Sequence, residues 1–288
     1  MRTLRLIGVL CAFFVVSCGK KVEPPVDLAQ CKGLCADGPL LAVATVKFLE
    51  ANADGTAPGY DLDGVDGPVA IDCSANDYVS PEGTRGVDNQ MATLLPVLKN
   101  LVGEALPTLI QNSVNEGGLS IIMEFVGLDD PQNDEDVNIV FHRGQGTPLL
   151  DADGRLLAGQ TYELADDTVL GVCRSGKLVN GKLHCSGFDL RVTIVVFGVT
   201  YRLTFRDLIF DMDLASDLES ASLVFGGTVL VDDIIGVANT IGDIAGLDQT
   251  IKDAVPPFAD IQDPTTGACN RISGTLAMSA RLGFVFGK

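Results

Sequence analysis

The run Phe188-Asp189-Leu190-Arg191-Val192-Thr193-Ile194-Val195-Val196, followed by Val199-Thr200-Tyr201-Arg202-Leu203-Thr204-Phe205-Arg206, alternates apolar and polar residues. Successive side chains of a β-strand point to opposite faces, so this period of two puts Phe188, Leu190, Val192, Ile194 and Val196 on one face. Val199, Tyr201, Leu203 and Phe205 follow, with Thr200, Arg202, Thr204 and Arg206 opposite. At Asp207-Leu208 the apolar set changes parity to Leu208, Phe210, Met212 and Leu214, which predicts a bulge in a long bent strand.

Moving outward, the same pattern recurs in both directions. Downstream, Ser222 to Val231 predicts a strand that Gly226-Gly227 would bend, and Ile272 to Phe286 closes the chain with fifteen residues of alternation. Between them, Asp232 to Gly246 and Leu247 to Val255 read as two short helices, the second stopped by Pro256-Pro257. Upstream, strands are expected at Thr168 to Cys173, Thr161 to Leu164, Val137 to Phe141 and Leu119 to Val126. The acidic stretch Asp129 to Asp136 reads as a solvated loop, and Asp151-Ala152-Asp153-Gly154 as a turn between two leucine pairs. Leu40 to Leu49 is the first β-prone run, with an alanine content that also fits a short helix.

One stretch has a helical period. Met91, Leu94, Leu95, Leu98, Leu101, Val102, Ala105, Leu106, Leu109 and Ile110 recur at steps of three and four. Asp88 is the expected N-cap and Gly117-Gly118 the expected stop. Pro96 and Pro107 each cost about 3 kcal/mol inside a helix, so kinks or a split into shorter helices are expected. The fold class is therefore α+β and mainly β: a long twisted antiparallel meander, a rolled sheet or sandwich. One amphipathic, proline-kinked helical segment near 88–116 packs on it.

Residues 54–89 are rich in Asp, Asn and Gly, and the candidate oxygen ligands there are Asp61, Asp63, Asp66, Asp72, Asp77, Asp88 and Asn89. Converging oxygens separated by glycines are what Ca²⁺ requires, although the spacing does not fit an EF-hand, and Asx turns in a solvated loop account for the same composition. Six cysteines lie beyond residue 18: Cys31, Cys35, Cys73, Cys173, Cys185 and Cys269. An even number is consistent with three disulfides. Asn180-Gly181 is a two-residue hairpin sequence that brings Cys173 and Cys185 close, but a perfect register would set Cys185 opposite Gly176, so a bulge is required. A bond from Cys269 to Cys31, Cys35 or Cys73 would tie the end of the chain to its beginning.

At the start of the sequence, Arg2 and Arg5 precede an apolar run from Leu6 to Val16, which ends in Val15-Val16-Ser17-Cys18. These are the parts of a secretory signal, with a core too short to span a bilayer permanently. The four-residue ending resembles the lipobox of bacterial lipoproteins. That resemblance implies cleavage before Cys18, acylation of Cys18 with palmitate-type chains, and attachment to the membrane through this N-terminal lipid. Gly19 rather than Asp at the second mature position implies export to the outer membrane. The run Pro81 to Gln90 also resembles a motif of uncharacterised bacterial lipoproteins. The expected organisation is a signal peptide (1–17), a lipidated tether (18–30) and a single disulfide-containing domain (31–288).

Composition limits function. Removing residues 1–17 takes away two Arg and no acid, so the mature chain has a net charge of −20. Such a surface repels phosphate backbones and makes nucleic acid a poor partner. Two histidines, His142 and His184, and the lack of a nucleophile elbow, a Walker loop or a dinucleotide fingerprint give no catalytic signature. Two functions fit. One is a lipid-anchored envelope protein that binds or scaffolds a protein partner, steadied by calcium and disulfides. The other is a carrier of an apolar or lipid ligand held between the helix and a curved sheet, for which an apolar groove would be the mark.

Overall fold

The computed structural model describes residues 40–67, 73, 77–102, 105–196, 198–237 and 248–285. The signal, Cys18, the tether, Cys31, Cys35 and Asp72 lie outside the described residues, as does most of the helix expected before residue 246. Nine strands form one sheet: β1 (Leu40–Phe48), β2 (Ile121–Val126), β3 (Asn133–Gln145), β4 (Gln160–Val179), β5 (Lys182–Val196), β6 (Val199–Leu214), β7 (Ser220–Leu230), β8 (Ile261–Gln262) and β9 (Cys269–Val285). The meander expected from the alternation is present from β2 to β7, each strand antiparallel to the next.

The sheet is rolled until it closes. β9 pairs with β7 on one side and with β1 on the other, and β1 pairs in turn with β2. Among the described residues the only parallel pairing is between Gln160–Tyr162 and Gly283–Val285. Among the described residues two seams in the ring are short: β1 meets β2 over Leu40–Ala42, and β4 meets β5 over Lys177–Val179. The exposed side chains of β5 and β6 include Lys182, His184, Asp189, Arg191, Arg202, Asp211 and Asp213, so these strands face water outside and core inside.

The helical segment divides into α1 (Met91–Val102), which contains Pro96, and α2 (Ala105–Asn115), which carries Pro107 in its first turn, where the missing N–H is tolerated. Gly117, at φ 80°, turns the chain out of α2 as expected. α2 is tied to one strand of each short seam: Gln111 Nε2 donates to the Ala44 carbonyl of β1 at 2.9 Å, and Ser113 Oγ to the Val195 carbonyl of β5 at 3.1 Å. Two further helices follow β7, α3 (residues 231–237) and α4 (Asp248–Ala254), with a 3₁₀ turn at Pro256–Phe258. α1, α3, α4 and the turn share a small core of Leu94, Val231, Ile251, Val255 and Ile272.

The expected capping differs. Asp88 does not cap α1: its carboxylate turns back to accept N–H groups of Leu62 (2.6 Å) and Asp63 (3.3 Å). The helix entry is held instead by Ser273 of β9, whose Oγ accepts the Gln90 N–H at 2.8 Å. A partner 183 residues away cannot be read from local sequence. The acidic stretch also differs, since β3 begins at Asn133 and takes in Asp134 to Asp136.

Both required irregularities in the sheet are found. Val137 pairs with Gly176 and Ile139 with Cys173, so β4 has one extra residue there, and Ser175 adopts φ 52°. This bulge turns Cys173 inward toward Cys185, to which it is bonded with a Cα separation of 6.2 Å across the Asn180-Gly181 turn. In β6, Phe188 pairs with Leu208 but Leu190 with Phe205, and Asp207 takes φ 51° in the extra position. A second disulfide, Cys73–Cys269, ties the start of the domain to β9 over a sequence separation of 196.

Candidate functional site

The interior of the ring is filled unevenly. At one level Phe141, Phe188, Phe210 and Phe225 pack edge and face, with centroids 4.8 to 6.2 Å apart, beside the Cys173–Cys185 bond. Such pairs lock rigid side chains together and make a solid floor. Above them the strands carry a mix of aliphatic and aromatic residues, and a cavity of about 190 Å³ remains.

Its walls are Val46 and Phe48 of β1, Leu119 and Ile121 at β2, Leu190, Val192 and Ile194 of β5, Tyr201, Leu203 and Phe205 of β6, and Leu276 and Met278 of β9. Its roof is helical: Met91, Leu95 and Leu98 from α1, Leu109 and Ile110 from α2, Ile234 and Val237 from α3, and Ile251 from α4. The face expected from the alternation at Leu190 to Phe205 is thus the cavity wall, and the helical stripe is its roof. Many of these side chains, among them Phe48, Leu98, Ile194, Leu203, Phe205 and Ile234, are only half-buried although they point inward, so the space reaches solvent. An apolar cavity of about 150 Å³ stays dry and takes up benzene, so a larger one lined in this way favours hydrocarbon over water.

The aspartate-rich loop lies elsewhere, over the outer face of β7 and β9. Tyr60 anchors it, its ring against Gly226, with Oη 2.9 Å from Asp211 Oδ2 and 3.0 Å from the Val224 carbonyl. Burial pushes the Tyr60 hydroxyl pKa well up. Of the seven candidate cation ligands, Asp61, Asp63 and Asp88 converge, with one oxygen of each within 4.8 Å of the others. Asp77 accepts the Gly67 N–H, and Asp66 pairs with Arg85 at 2.7 Å. Asn89 has a structural role: its Nδ2 donates to the carbonyls of Leu49 and Pro58 and its Oδ1 accepts the Thr275 N–H.

Burial, more than charge crowding, sets the chemistry of this cluster. Burial raises the Asp88 carboxyl to about 8, against the Leu62 N–H bond, and the nearby charges of Asp63, Asp260 and Asp77 add to the shift. Asp260, buried and bonded to Ser273, is raised to about 7. One oxygen each of Asp61 and Asp63 is occupied by the N–H of Gly64 and of Val65 in Asx turns. The arrangement can retain protons near neutral pH. The two histidines are apart from it and from the cavity lining: His142 pairs with Glu124 at 2.7 Å and His184 with Asp211 at 2.8 Å.

The alternation marked the cavity wall and the helical stripe its roof, but not the part played by α3 and α4, because the residues those helices pack against are distant in the chain. Compared with protein families, curated proteins and solved structures, the chain matches none.

Proposed function

We propose that this is an exported, lipid-anchored protein of the bacterial envelope that binds the apolar part of a small ligand between its helices and the open level of its rolled sheet. The observation that carries the reading is the cavity. It is walled by strands, roofed by four helices and lined by apolar side chains. A purely scaffolding role would fit a core packed shut at that level, as it is at the phenylalanine floor. The two disulfides support an oxidising compartment. The anchor rests on Val15-Val16-Ser17-Cys18, and the outer membrane as destination on Gly19. The ligand's polar end would stay at the solvent-facing rim, since the walls offer it no charged partner.

The test is a fluorescence titration with N-phenyl-1-naphthylamine, a probe that brightens in apolar sites. The protein should bind it saturably, medium-chain fatty acids should displace it, and Leu203→Trp, which fills the cavity, should weaken binding by about tenfold or more. Saturable binding that Leu203→Trp leaves unchanged, in a variant with the parent circular dichroism spectrum, would place the ligand elsewhere.

A further inference from the structure

Between β3 and β4 the chain makes a small hairpin in which Leu157 N–H bonds the Leu149 carbonyl at 2.9 Å and Leu150 bridges Leu156. The hairpin leans on the end of β9: Gly159 N–H bonds the Leu282 carbonyl at 2.8 Å, and Thr161 pairs with Phe284. Leu156 is buried, but Leu149 is 62% exposed, Phe284 52%, and Leu150 and Leu157 42% each. These are half of the eight large apolar side chains exposed among the described residues, and they are gathered at one corner.

Two further features of this corner indicate what covers it. β1 starts here: Leu40 pairs with Gly283, the neighbour of Phe284. Leu40 is the first described residue, so the chain from Cys18, 22 positions earlier in the sequence, joins the described fold at this corner. The two aspartates of the hairpin are matched by its one arginine together with Arg281 of β9, unlike the strongly acidic chain as a whole. Arg155 pairs with Asp151 and Asp153, and Arg281 lies 3.7 Å from Asp151 while donating to the Leu156 carbonyl at 3.1 Å. These pairings offset charge where the apolar side chains protrude, which lowers repulsion by anionic headgroups there.

We propose that Leu149, Leu150, Leu157 and Phe284 rest in the interfacial layer of the bilayer to which the chain is tethered. The orientation rests on the lipid-anchor reading, but the patch can be tested without it. The mature chain carrying Cys18→Ser, which cannot be acylated, should cosediment weakly with vesicles of phosphatidylethanolamine and phosphatidylglycerol. Leu149→Asp with Phe284→Asp should reduce the sedimented fraction by about fivefold or more, and the milder Leu149→Ser should also reduce it with an unchanged melting temperature. Val179→Asp, at an exposed apolar residue of the β4–β5 hairpin, should leave it unchanged. Sedimentation indifferent to the patch overturns the proposal, as does a patch-dependent dimer on gel filtration, which would assign the surface to protein contact. The mass of the native N-terminal peptide tests acylation separately, so either idea can fail without the other.

Discussion

Single residues carry two kinds of stored constraint in this protein. Asp88 keeps its proton in the folded chain up to about pH 8, whereas in the unfolded chain it loses it near pH 4. A pKa raised by folding gives stability that is full below the unfolded value and lost as pH rises through the folded one. Thermal melts should therefore show stability falling from pH 5 to pH 8, and Asp88→Asn should flatten that slope. Ca²⁺ bound by the ionised cluster would act in the opposite sense, so a melting temperature that rises with pH only when calcium is added would identify a cation site. The second constraint is steric. A methyl group on Gly226 would stand 2.3 Å from the Tyr60 ring, so Gly226→Ala should displace the loop anchor and cost about 1–3 kcal/mol in denaturant unfolding. Sequence patterning reached this scale where a parity change is local. The parity change at Asp207-Leu208 and the hairpin register at Cys173 and Cys185 each required an extra residue, and Asp207 and Ser175 supply them at positive φ. It did not reach Ser273 or Tyr60, whose partners are far away in the chain.

Among elements, the two disulfides do different work. Cys173–Cys185 staples a hairpin across a separation of 12, and Cys73–Cys269 fastens the aspartate-rich loop to β9 across 196. On the chain-entropy model a loop of about 15 residues gains roughly 3 kcal/mol and one of about 100 roughly 4.7, so the longer closure should matter more. Replacing Cys73 and Cys269 by Ser should thus lower the unfolding free energy further than replacing Cys173 and Cys185. Equal losses would show that local strain rather than loop closure governs both. The strands were legible because period two survives over many residues. The split of the helical segment was legible because two prolines mark it. The helices α3 and α4 were legible only as helices, since their packing against α1 depends on contacts with Leu94 and Ile272 from distant parts of the chain.

For the whole molecule, closure of the sheet is what turns an ordinary meander into a vessel. An antiparallel succession of strands can be read along the chain, but the pairing of β1 with β9 joins residues more than two hundred positions apart and has no local signature. Closure leaves an interior, the phenylalanine cluster fills one level of it, and the helices roof the next. Ligand binding requires that unfilled level to accept hydrocarbon. Its most direct test is the affinity of a series of unbranched fatty acids of increasing length, measured by displacement of the naphthylamine probe. Each added methylene should contribute about 0.8 kcal/mol, close to fourfold in Kd, until the tail fills the cavity and the gain stops. Affinities that do not change with chain length would contradict it.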